Sequence, residues 1–211
     1  MTGIGNRRST VVMYSDADAL GWDGLSSHRV RLVLSDKDIS TEIVALSDAN
    51  SNAELLEINP QGACPTLIDR ELALYDARVI IDYLDERYPH PPLMPIDPVS
   101  RARARLALHR IETDWYSLLP CSAYQQRTET QCQQELSEAL TAANDVFDAL
   151  PFFFSEDYSI LDATLAPMLW RLPSYGIKLP ESATAVKAYA KRQFERPAFI
   201  ASLSDEERGM Q

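Results

Sequence analysis

Apolar residues fall in short β-type runs separated by helix-spaced segments up to residue 88, and in long helix-spaced stripes beyond residue 99. Val11-Val12-Met13-Tyr14 reads as a short buried strand. A polar loop from Ser15 to Gly24 leads into a helix from about Ser26 to Asp36, with Ser26 or Ser27 as candidate cap and Val30, Val33 and Leu34 on its apolar face. Glu42-Ile43-Val44 supplies a second strand, and Ala53 to Ile58 a second short helix. Thr66-Leu67-Ile68 turns through Asp69-Arg70-Glu71 into Leu72-Ala73-Leu74, a hairpin. The helix Ala77 to Tyr88 follows, with Val79, Ile80, Tyr83 and Leu84 at helical spacing. The predicted order is βαβαββα.

From Tyr88 to Pro98 there are five prolines in eleven residues, the composition of a stiff extended linker. Beyond it the pattern is helical throughout. Ala104, Leu108, Ile111, Trp115 and Leu118 form one stripe on a helix starting near Ser100, which must pack on other helices or on a second subunit. A second long helix is predicted from about Glu129 to Leu150. Ser159-Ile160-Leu161-Asp162 has capping-box spacing, and Ile160 to Leu172 behind it is apolar on nearly every side, so it should be a central helix bent at Pro167 and ended by Pro173. A last helix runs from about Ala183 to Glu195 and breaks at Arg196-Pro197. The expected organisation is residues 9–88 as an α/β domain, 89–98 as a proline-rich linker, 99–203 as an all-helical domain and 204–211 as a loosely ordered tail.

Charge and cysteine usage narrow the function classes. At a formal net charge of -11, the surface opposes nonspecific binding to a polyanion, so no direct nucleic-acid recognition is expected, and a basic protein surface is a natural partner. No run of apolar residues reaches membrane-spanning length, and Met1 to Thr10 carries Arg7 and Arg8 without an apolar segment behind them, which predicts a cytoplasmic protein with no membrane association. Three cysteines far apart, Cys64, Cys121 and Cys132, fit a reducing compartment, and histidines at 28, 90 and 109 have no metal-site spacing. No metal or cofactor is expected.

Within Asn59 to Ala77, Pro65 stands at the first position of a strand, where the missing N–H is tolerated; the residues alone leave its peptide bond open as cis or trans. Asp76 reads as the cap of the helix beginning at Ala77, and Cys64 as a small buried filler or, alternatively, a reactive thiol. Arg101 and Arg105 read as solvated partners of carboxylates, and Trp115, Trp170 and Tyr175 chiefly as core.

The α/β half with Asn59-Pro60, Pro65-Thr66-Leu67 and Asp76, joined to a helical half with Ser159 to Asp162, resembles the glutathione transferase fold: an N-terminal thioredoxin-like βαβαββα domain and a C-terminal helical domain. Three further segments resemble the stringent starvation protein A family of bacteria. These are Tyr83 to Pro95, His109 to Tyr116 and Leu165 to Pro173. The narrower resemblance implies a homodimeric, RNA polymerase-associated regulator of transcription in starvation and stress, which contacts the holoenzyme including its sigma factor and lacks transferase activity. It further implies a partner-binding loop at Tyr88, Pro89, His90, Pro91 and Pro92, and a vestigial glutathione site at Cys64, Pro65, Asp76 and Ala77.

The residues themselves allow a test of that vestigial character. A transferase needs a hydroxyl or thiol at the start of the first helix to stabilise a thiolate, because a free thiol near pKa ~8.5 is mostly protonated at neutral pH. Laid on serine-type transferases, His28-Arg29-Val30-Arg31 puts Gly24 or Leu25 at the catalytic position. A glutathione-dependent transferase or isomerase would have to use Tyr14, Ser15 or Ser26 instead. The acidic residue and hydroxyl that hold the γ-glutamyl end in the enzymes correspond to Asp76-Ala77, where the hydroxyl is missing, a loss of ~1.5–3 kcal/mol for a hydrogen bond to a charged group.

Overall fold

The computed structural model describes residues 11–16, 18–46, 49–120, 122 and 127–210. Seven elements build the first layer: β1 (Val11–Asp16), α1 (Trp22–Asp36), β2 (Thr41–Leu46), α2 (Ala49–Ile58), β3 (Thr66–Asp69), β4 (Leu72–Tyr75) and α3 (Ala77–Arg87). The sheet order is β2-β1-β3-β4, with β1 parallel to β2 and antiparallel to β3. In that register Val12 faces Ile68, Met13 faces Leu67 and Tyr14 faces Thr66. The buried side chains of Val11, Met13 and Leu67 meet Val30 and Val33 of α1 and Ile80 and Leu84 of α3 in one core.

The helical half comprises α4 (Pro98–Arg110), α5 (Glu129–Ala142), α6 (Asn144–Ala149), α7 (Ile160–Arg171), α8 (Thr184–Phe194), α9 (Pro197–Ser202) and α10 (Asp205–Arg208). Past Arg110 the path of α4 continues through a π-helical turn, Ile111–Trp115, and a 3-10 turn, Tyr116–Leu118. The stripe Ala104, Leu108, Ile111, Trp115 and Leu118 thus faces the core despite the change of helix type. Helix α7 is the central helix, and its capping box forms: Asp162 Oδ2 accepts from the Ser159 N–H at 2.9 Å, while Oδ1 accepts from Phe153 N–H and Tyr189 Oη–H. The same core cluster runs from the sheet through α7 to α8.

Three expectations are corrected. Helix α1 begins at Trp22, not near Ser26, because Asp18 Oδ1 accepts the N–H groups of Leu20 and Gly21 ahead of it; Ser26 and Ser27 lie within the helix, and Ser27 Oγ accepts from Asp16 N–H. The helix expected over Glu129–Leu150 divides at Ala143, where Asn144 turns its side chain to accept the Ala185 and Val186 N–H groups at the start of α8. Within the proline-rich linker Leu93 and Met94 are buried. The tail expected to be loose over 204–211 carries α10, capped by Ser204, and Glu207 within it is 1% exposed. Its ordering comes from buried charge: Glu207 accepts from Arg31 of α1 and Arg171 of α7. Cys121 and the segment Met1 to Thr10 lie outside the described residues.

Candidate functional site

Two candidate sites follow from the sequence, and the structure places them at opposite ends of α3. At its N-terminal end, Cys64–Pro65 is a cis peptide and Pro65 leads straight into β3. Thr66 Oγ–H donates to Ala63 O at 2.7 Å, and the buried Asn59 amide donates to Thr66 Oγ1 at 3.0 Å, so the loop is tied to the strand by local side chains. Asp76 sits at φ 74° and caps α3, its Oδ1 accepting from Arg78 N–H (2.9 Å) and Val79 N–H (3.2 Å). Two of the free N–H groups in the first turn of α3, those of Arg78 and Val79, are therefore already occupied by a carboxylate of the same chain. Ala77 is buried and offers no hydroxyl.

The thiol chemistry of this end is equally constrained. Gly24 runs so close to the backbone of Asp18 that any side chain there would collide with it, and Leu25 is fully buried. Neither position carries a hydroxyl. Ser15 is buried and its Oγ accepts from Arg31 Nη1 at 2.6 Å, which commits it to the interior. Tyr14 is buried in a small cluster with Leu55 and Cys64, and Ser26 is buried within α1. Cys64 is 6% exposed, and burial, with the Asp16 and Asp23 carboxylates nearby, pushes its thiol up to about 12. Burial and Asp16 likewise raise the Asp23 carboxyl. Low polarity and negative charge both disfavour a thiolate, so the Cys64 thiol is held protonated.

At the C-terminal end of α3, Pro89, His90, Pro91 and Pro92 are exposed beside the half-buried Tyr88, and His90–Pro91 is the second cis peptide among the described residues. The loop is exposed on its outer side and pinned on its inner one. Lys37, whose side chain is fully buried, donates through Nζ to Tyr88 O at 2.7 Å, Pro91 O at 2.8 Å and Asp85 Oδ1 at 2.9 Å. Asp85 Oδ1 also accepts from Leu93 N–H, and Leu93 O accepts from Ile160 N–H at the start of α7. One ammonium thus organises the loop, α3 and the entry to the helical half. The Arg87 guanidinium lies 5.5 Å from the Tyr88 ring centre.

Lys37 and Asp85 were not singled out in the sequence, nor was the bridge in which Glu112 accepts from Arg29 at 2.9 Å and Arg78 at 3.1 Å. The only hint at Lys37 is rarity: the chain has four lysines against sixteen arginines. Arg101, read as a partner of carboxylates, instead donates to Pro95 O at 2.9 Å and braces the end of the proline-rich segment. Among the described residues no group of His, Cys, Asp and Glu is arranged to hold a metal ion, and no helix is long and apolar enough to cross a membrane.

Against known proteins, residues 24–92 match the family model for the glutathione S-transferase N-terminal domain and residues 99–192 that for the C-terminal domain. A stringent starvation protein A homolog from Pasteurella multocida is 39% identical over 207 residues, 96% of this chain and 94% of that one. The chain belongs to the stringent starvation protein A family. A second member, from Coxiella burnetii, is 38% identical over 205 residues, 95% of each chain. Among solved structures, glutathione transferase Omega 3C from Trametes versicolor superposes with a TM-score of 0.76 at 22% identity, covering 94% of this chain and 86% of that one. A glutathione transferase homolog from Burkholderia, solved with bound glutathione, gives 0.69 at 26% identity, covering 95% and 99%. Family membership and fold agree with the architecture: a thioredoxin-like mixed sheet followed by a helical domain.

Proposed function

We infer that this member of the stringent starvation protein A family is a cytoplasmic, RNA polymerase-associated regulator of transcription in starvation and stress. It acts by protein contact with the holoenzyme, including its sigma factor, and not by transferase chemistry. The observation that carries this reading is the Tyr88–Pro92 loop: four consecutive exposed residues held from below by two hydrogen bonds of one buried ammonium, whose third bond ties it to Asp85 of α3. Such a loop loses little conformational freedom on docking, so its contacts convert into affinity. The acidic surface adds long-range attraction to basic segments of a partner.

The thiol end supports the absence of transferase activity. Burial and the nearby carboxylates hold the Cys64 thiol protonated, and the Arg78 and Val79 N–H groups at the start of α3 are already capped by Asp76. Exposed Leu106 and Phe154 line an apolar cavity of about 760 Å³ beside α4, which supports assembly as a homodimer.

The test is recovery of polymerase subunits with the tagged protein from cells, repeated with His90→Ala and Pro91→Ala. Recovery with the parent chain and loss in both variants is expected. Equal recovery would remove the loop from the account. Retention on immobilised glutathione together with conjugation of a chlorinated aromatic substrate would favour a glutathione-dependent enzyme instead.

A further inference from the structure

Of the four lysines in the chain, Lys178, Lys187 and Lys191 line one groove. It is an open cavity of about 790 Å³ between the C-terminal end of α7, the chain that follows it, and α8. Its floor is apolar: Leu172 and Ile177 are buried, and Trp170 and Phe194 are half-buried there. Trp170 spends its one donor on Glu207 O, at 2.9 Å, and packs edge-on against Phe194, so its contribution to the groove is hydrocarbon. Lys187 and Lys191 stand one turn apart on α8, and Lys178 precedes α8 on the connecting segment.

The three ammonium groups are poorly compensated. Lys178 and Lys187 have no carboxylate within ion-pair distance among the described residues. Lys191 meets Glu195, also on the rim, at 3.8 Å, and both side chains are largely exposed, so that pair contributes little. On a chain of net charge -11, this is a local positive field beside an apolar floor.

We propose that this groove docks an acidic amphipathic helix of a partner protein, with apolar side chains at three- and four-residue spacing on the floor and flanking carboxylates on Lys178, Lys187 and Lys191. The geometry suits a helix laid in a groove, whose apolar anchors supply affinity while the charges set orientation and choice of partner. A bilayer is a poorer fit, because the surface is concave and the remaining charge repels anionic lipid. The site shares no residue with the Tyr88–Pro92 loop and stands or falls independently of it.

The probe is a fluorescein-labelled synthetic peptide of about 18 residues, enough for roughly five helical turns, with leucines on one face and glutamates flanking them. Its anisotropy is followed against the full chain, alongside a lysine-flanked version, a scrambled version, and vesicles of phosphatidylglycerol. The expected result is saturable binding of the acidic peptide alone, weakened by salt and by about tenfold or more in Lys187→Glu/Lys191→Glu. Both substitutions lie on the exposed face of α8, and circular dichroism confirms that the variant is folded. A second variant, Ala190→Asp, tests the groove wall separately and should also weaken binding. No binding, equal binding of the scrambled peptide, undiminished binding by both variants, or binding of the vesicles alone would overturn the proposal.

Discussion

Arg31 Nη2 in the first helix lies 2.6 Å from Glu207 Oε2 in the last, 176 residues along the chain. The same carboxylate accepts from Arg171 of α7, which is fully buried, and both arginines reach further, to Ser202 O and to Ala19 O respectively. His28 completes the group as a neutral ring: Arg171 Nη1 donates to Nδ1 and the ring Nε2–H donates to Ser202 Oγ, whose proton goes to Phe199 O. Burial, ahead of the two guanidiniums, holds His28 well below its ordinary range. The four-residue α10 therefore closes the junction of the two halves.

Burial alone would raise the Glu207 carboxyl, but the Arg31 and Arg171 guanidiniums beside it outweigh burial and hold it at about 2 against an ordinary 4.5. A carboxyl depressed on folding contributes stability that is complete above about 4.5 and is lost as pH falls toward about 2. That contribution is roughly 3 kcal/mol. Glu207→Gln should lower stability at pH 7 by roughly 3 kcal/mol or more, because two buried guanidiniums lose their counter-charge. It should also flatten the fall in stability from neutral to acid pH, read from urea midpoints at each pH. An acid limb as steep as that of the parent chain would show that Glu207 does not govern it.

Asp76 combines a cap with a left-handed backbone at φ 74°. Asp76→Ala should therefore cost about 1–2 kcal/mol, from the lost cap and from an alanine forced to positive φ. Asp76→Asn keeps an oxygen acceptor and tolerates that backbone, so it should cost less than half as much. Chemical denaturation of the three proteins checks the order.

Cys64, with its thiol raised to about 12, should resist alkylation. Iodoacetamide at pH 8 should leave the Cys64 peptide unmodified in the native protein and label it in denaturant, as read by peptide mass spectrometry. Rapid native labelling would mean that the thiol is ionised and would reopen the enzymatic reading.

Lys37 predicts a coupling between stability and the loop. Lys37→Met leaves Asp85 and the carbonyls of Tyr88 and Pro91 without their shared donor, a loss of roughly 3 kcal/mol for a buried charge pair broken on one side. Amide exchange at Leu93, whose N–H is held by Asp85, should accelerate, while amides of α5 stay protected.

Legibility in the sequence followed the span of each interaction. Pro65 before Thr66, the Asp76 cap and the Ser159–Asp162 box are all local, set by neighbours within three residues, and each could be read from spacing. Glu207 could not, since its partners stand 176 and 36 residues away, and an acidic tail with no apolar pattern looks solvated. Lys37 meets partners 48 to 54 residues downstream, so the loop was visible as prolines but its support was not. The early start of α1 was missed because the N–H acceptor, Asp18, precedes the helix instead of standing at its cap. Thus the fold and both candidate segments were legible, whereas the groups that hold them rigid were not.

The central claim is that the Tyr88–Pro92 loop docks RNA polymerase holoenzyme. Its most direct measurement is equilibrium binding of the purified chain to purified holoenzyme, with His90→Ala compared at equal thermal stability. Saturable binding that weakens by about tenfold or more in the variant is predicted, the loss expected for a central anchor of a preorganised contact. Equal affinity of the parent and variant chains, or no binding by either, would contradict it.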